Sequence, residues 1–204
     1  DILDVDPSKK SEILKEYTNS MSNNNKCYIR KSIEFSHLPN TVIGYYYTEP
    51  ILSLFLNSNI NDRNLSAKEG YHIPAGKYLR SYYEIISPVC FHHYYNGGSY
   101  SLFYTQYSDF TYWVKEVMEA DSNFGYRNPS LQNKQGVGYG KRGEIVDSHI
   151  LKNGMFFSRE GMAMPNLSKE NSFVCLSYTN SICAQYAVNL YTGQHKISGN
   201  MNLL

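Results

Sequence analysis

The sequence predicts an α+β fold, a single domain over residues 1–204 with a mostly antiparallel, Tyr-rich sheet and three to four helices. Three observations lead there. Segments with helical spacing and segments with strand-like alternation fall in separate clusters, without a regular βαβ repeat. Hydrophobic residues make up 42% of the 204, enough for a core without metal or disulfide staples. The 20 tyrosines suit half-buried strand faces, where a ring packs and a hydroxyl reaches water.

In chain order, residues 1–25 read as an N-terminal helix and a linker. Within "SKKSEILKEYTNSM", Ser8 is a cap candidate and Ile13, Leu14 and Tyr17 share a face, before a polar "SNNNK" break. "CYIRKSIEF" alternates as a strand does, and "TVIGYYYTEPILSLFL" reads as a strand stopped by Pro50 and followed by a second buried element. A loop spans "NSNINDRNLSAKEG". "YHIPAGKYLRSYYEIISPVCFHHYY" is β-rich, and "NGG" at 96–98 reads as a hairpin turn between Tyr-rich strands. "DFTYWVKEVMEA" places Phe110, Trp113, Val114 and Val117 on one helical face. Residues 121–143, poor in apolar side chains and rich in Gly and Asn, are expected to form a long loop. A short helix at "EIVDSHILKNG", a strand at "SFVCLSY" and a helix at "NSICAQYAVNLY" complete the pattern, with the tail frayed or on an edge.

Composition narrows the function classes. A net charge of +1 with scattered cations lacks the basic face of a nucleic-acid binder. No apolar run approaches the roughly 18 residues of a membrane span. The chain begins with Asp, so either a leader has been removed or the chain has been trimmed. Cys27, Cys90, Cys175 and Cys183 allow three disulfide pairings or none. Asn64 and Asn166 begin Asn-x-Ser triplets at chance frequency for an Asn- and Ser-rich chain.

Chemistry-bearing residues cluster in four places. Cys90, His92 and His93 lack a spacing that converges on a metal, so no metal site is expected. Cys90 could serve as a thiolate nucleophile if a histidine joined it, and His149 beside Asp147 is the candidate pair. "QGVGYGKRGE" matches neither G-x-G-x-x-G nor a P-loop, and reads as a Gly-rich surface loop. Glu116 and Glu119, ahead of that loop, resemble the general acid of lysozyme-like peptidoglycan hydrolases, and equally suit a solvated helix face.

The fourth cluster spans "RGEIVDSHILKNGMFFSREG" and "SFVCLSYTNSICAQYA". It resembles the first half of bacterial-toxin-type ADP-ribosyltransferases, in which an Arg closes a strand and a Ser-Thr-Ser-like element lies on a later strand. The resemblance implies that Arg142 holds the phosphates of NAD, with Ser177 and Thr179 in the Ser-Thr-Ser-like positions. That element reads Ser-Tyr-Thr here, and no acidic residue follows Glu170 to act as the family's catalytic Glu. NAD binding without transfer is what the resemblance implies.

The leading expectation is a binding domain, secreted or delivered to a host cell, that recognises a glycan or a host protein. It would use Tyr-lined strands at 82–113, with Tyr94, Tyr95, Tyr100 and Trp113 as contacts and no cofactor. The ADP-ribosyltransferase-like NAD binder and the Cys-nucleophile enzyme are the alternatives.

Overall fold

A computed structural model describes residues 5–20, 30–38, 41, 43–44, 47, 49–50, 52–53, 66–98, 101–142 and 145–192. The chain divides into two compact units, Asp1–Ser58 and Asn59–Leu204.

In the first unit, α1 (Lys10–Ser20) follows a 3-10 turn that starts at Pro7. The cap is Asp6 rather than Ser8: its carboxylate accepts from the Ser8 amide at 2.9 Å and the Ser8 hydroxyl at 2.6 Å, which lowers its pKa. The strand expected at 27–35 is a 3-10 helix over Ser32–His37 in its described part. Glu34 wins that competition locally. Its carboxylate accepts from the Lys31 amide at 3.4 Å and from the hydroxyl of buried Tyr47. Half of the apolar run 41–56, residues 57–65 of the expected loop, Cys27 and the tail beyond 192 lie outside the described residues.

The second unit carries the α+β arrangement expected, with its strands divided between two sheets. In the first sheet the order is β1 (Leu79–Ser81), β3 (Asp109–Tyr112), β2 (Phe91–Tyr95), β6 (Phe156–Phe157). β3 runs antiparallel to both neighbours, and β6 joins β2 in parallel. A helical turn, α2 (Ala75–Tyr78), precedes β1. The helix expected over 109–120 is β3 followed by a short α3 (Lys115–Glu119). Sheet pairing overrides local helical spacing. Thr111 is fully buried between Leu79 and His92, Phe110 packs on the His93 ring at 4.2 Å, and the Trp113 amide donates to the Cys90 carbonyl at 2.7 Å.

The second sheet has the order β5 (Ser148–Leu151), β4 (Gly136–Gly140), β7 (Gly161–Pro165), all antiparallel. β4 lies in the stretch expected to be a loop, and β5 where a helix was expected. Strand alternation puts Val137 and Tyr139 on one face and Gly136, Gly138 and Gly140 on the other. Val137 and Tyr139 pack with Met162, Met164, Leu176 and Val188. Leu176 and Val188 belong to α4 (Lys169–Thr179) and α5 (Ile182–Thr192), so two helices cover this face. The opposite face meets Tyr95 and Phe157, which pack with Leu151, Met155 and Ala163. A side chain at Gly138 would put its Cβ 2.5 Å from the Tyr95 ring. The glycines are packing residues that let a ring lie on the strand.

α4 replaces the strand expected at 172–178. Ser168 caps it, accepting from the Asn171 amide at 3.1 Å, and Ser172, Leu176 and Thr179 form its buried stripe at helical spacing. Cys175 on this helix donates its thiol to Met164 Sδ at 3.7 Å, and burial pushes its pKa up to about 11. Cys183 is exposed. Under iodoacetamide at neutral pH, Cys183 is therefore expected to be carbamidomethylated at least about tenfold faster than Cys175, as read by timed peptide mapping. Equal rates would mean that the Cys175 thiol is open to solvent.

Candidate functional site

β2 ends in Tyr94 and Tyr95, whose side chains leave the strand on opposite faces, and Asn96–Gly98 turns the chain away. Gly97 and Gly98 take φ of +101° and +71°, a region open to glycine and strained for most other residues. No tight hairpin follows this turn, because the antiparallel partner of β2 is β3. The chain instead loops through 101–108 before entering β3. This loop closes a cavity of about 370 Å³ lined by Tyr94, Tyr95, Asn96, Gly98, Thr105, Gln106, Tyr107, Ser108 and Asp109.

The cavity rests on a buried polar group. His149 is fully buried; its Nε2 lies 2.6 Å from the Ser101 carbonyl and its Nδ1 2.9 Å from the Tyr95 hydroxyl. A carbonyl only accepts, so Nε2 carries the proton and the Tyr95 hydroxyl donates to Nδ1. Burial lowers the His149 pKa, which favours this neutral tautomer. Burial also raises Tyr95 well above its ordinary value. Gly98 fits over the imidazole because it has no Cβ; one would stand 2.7 Å from His149 Cε1. Asp147, only 6% exposed, is raised to about 6 by burial, although it accepts backbone hydrogen bonds, one of them from Gly140.

This geometry separates the residues proposed for chemistry. Asp147 and His149 do share a strand face, and Tyr95 feels the Asp147 charge. The imidazole, however, is oriented by Tyr95 and Ser101, and both its nitrogens are engaged. Cys90 ends a 3-10 turn at the other end of β2, five residues or roughly 16 Å of extended chain from Tyr95. Arg142 lies beyond the end of β4, largely exposed, and pairs with Glu160 at 3.1 Å. Ser177 and Thr179 lie on helix α4: Ser177 is exposed, and buried Thr179 returns its hydroxyl to the Cys175 carbonyl at 2.9 Å. Glu116 and Glu119 are exposed, and Lys115 stands 3.9 Å from Glu119.

Of the aromatic contacts expected, Tyr94 and Tyr95 line the cavity but are otherwise core residues. Tyr94 donates to the Tyr71 carbonyl at 3.0 Å. Trp113 stacks on Tyr71 with ring centroids 5.1 Å apart and planes 4° apart, and Tyr126 also stacks on Tyr71. It serves as packing within an aromatic cluster. Tyr100 lies outside the described residues. Sequence reading missed Asn96, Thr105, Gln106, Tyr107, Ser108 and Asp109; the signal available was a polar, aromatic-punctuated run directly after a Gly-Gly turn.

Among the described residues no group of three or more His, Cys, Asp or Glu side chains is placed to hold a metal ion, and no helix is long and apolar enough to cross a membrane. No protein-family model matches the chain, and no curated protein matches it.

Proposed function

We propose that this chain is a secreted or host-delivered binding domain that takes a glycan in the cavity between β2, the 101–108 loop and β3. The observation that carries this reading is the lining: three tyrosines beside two carboxamides, two hydroxyl side chains and one carboxylate. Aromatic rings cover the apolar faces of a sugar, and amide and hydroxyl groups answer its hydroxyls. The volume, about 370 Å³, lies in the range of small-ligand pockets and suits one or two sugar rings. A dinucleotide's phosphates call for cations, and none of the nine lining residues is Lys or Arg. Extracellular and host-cell surfaces are where such a ligand is met.

Asn96 and Gln106 are exposed at this cavity, so removing either amide leaves the core untouched. N96A and Q106A are each expected to weaken glycan binding about tenfold, about 1.4 kcal/mol, without a change in melting temperature. Titration calorimetry against mono- to tetrasaccharides tests this. An unbound panel, or unchanged affinity in both variants, rejects the cavity as the site.

A further inference from the structure

We infer that the ligand of this cavity carries a cationic group read by Asp109, which makes an amino sugar with a free ammonium the class it selects. This inference rests on the glycan reading above. Asp109 is the only charged residue among the described residues that line the cavity. It opens β3, opposite Ser81, and its negative charge acts on Tyr94 in the cavity wall. Among the described residues it forms no ion pair. Its side chain accepts a long hydrogen bond from the Ser108 hydroxyl at 3.4 Å.

Two other carboxylates of this unit, Glu69 and Asp121, are each paired with a cation, whereas buried Asp147 relies on backbone hydrogen bonds. Glu69 receives Lys141 at 2.7 Å and Arg127 as well, and Asp121 receives Lys77 at 2.8 Å. Asp109 stands in a half-covered space with no ion-pair partner among the described residues. An ammonium brought by the ligand would supply that partner through a charge-assisted hydrogen bond. A ring bearing hydroxyls as well as the ammonium would also engage the exposed amides of Asn96 and Gln106, which a simple alkyl cation would not.

The test compares the β-1,4 disaccharide of glucosamine with its N-acetylated counterpart by titration calorimetry. Wild type is expected to bind the free amine at least about tenfold tighter. D109N should erase that preference, bringing the two sugars to equal affinity. D109E, which keeps the charge, should retain part of it. Should D109N fail to fold, the salt dependence of wild type decides: raising ionic strength to about 0.5 M should shrink the preference several-fold. A preference for the N-acetylated sugar, or one that survives both D109N and salt, overturns the cation inference and leaves the glycan site standing. Binding of neither sugar overturns both. Binding of arginine amide alone, lost in D109N, moves the cation onto a protein side chain and overturns the amino-sugar class.

Discussion

G161A is expected to lose about 3 kcal/mol of unfolding free energy, with the loss located where the two sheets meet. A Cβ at Gly161 would stand 2.4 Å from the Gly97 amide nitrogen, 2.8 Å from the Tyr95 carbonyl oxygen and 2.9 Å from the Asn96 carbonyl carbon. All three are backbone atoms, so no side chain can swing aside. Relief requires the β2 terminus to move off β7, which would break the Ser158 amide's 3.0 Å bond to Tyr95 and disturb the floor of the cavity. Overpacking of this kind costs about 1–3 kcal/mol where side chains can adjust, and backbone contacts place this position at the upper end. Urea unfolding followed through Trp113, the only tryptophan, measures it. The control is G76A in α2, where an added Cβ meets nothing within 4 Å. It should be neutral or stabilising by up to about 1 kcal/mol, since alanine restricts the unfolded chain. Equal losses in the two variants would mean that the sheets are not in contact at Gly161.

The same glycines explain what was legible in the sequence. α1 and α5 were readable because their apolar residues recur at helical spacing over 11 residues each and nothing tertiary contradicts them. β4 was not. Gly-Val-Gly-Tyr-Gly has the period of two that marks a strand, but glycine signals flexibility when read locally. Its use here, seating the Tyr95 ring, depends on a residue far away in sequence. Over α4 the β-favouring residues Phe173, Val174 and Tyr178 point locally to a strand; these three are exposed, and the cap at Ser168 with the Ser172–Leu176–Thr179 stripe decides for the helix. The 109–113 segment erred the other way, since burial of Thr111 between two strands cannot be read from its own neighbours. The cavity was half legible. Tyr94 and Tyr95 stand out by residue type, whereas Gln106 and Asp109 become candidates only once the 101–108 loop and β3 bring them beside β2.

Asp147 leads to the second large effect, a stability difference that depends on pH. Its carboxyl is raised from 3.8 to about 6 by burial, so the native state binds this proton more tightly than the unfolded chain does. A group raised on folding contributes stability fully below its unfolded pKa and loses it as pH climbs through its folded value. Wild-type stability minus that of D147N should therefore fall by about 2 kcal/mol between about pH 4.5 and pH 7.5. His149, His92 and His93 are lowered by burial and act in the opposite sense: their contribution is present above the unfolded value of 6.5 and is lost as pH falls through their folded values. That slope is common to both proteins to the extent that D147N leaves the histidines in place, and it cancels in the difference. Urea midpoints across this pH range read it out, and a flat difference would mean that the Asp147 carboxyl is hydrated. A falling one has a consequence for the cavity. Above about pH 6 the ionised Asp147 lies behind Tyr95, whose hydroxyl already feels its charge, so the cavity with Asp109 at its side gains a second negative charge through its wall, in the direction that favours a cationic ligand.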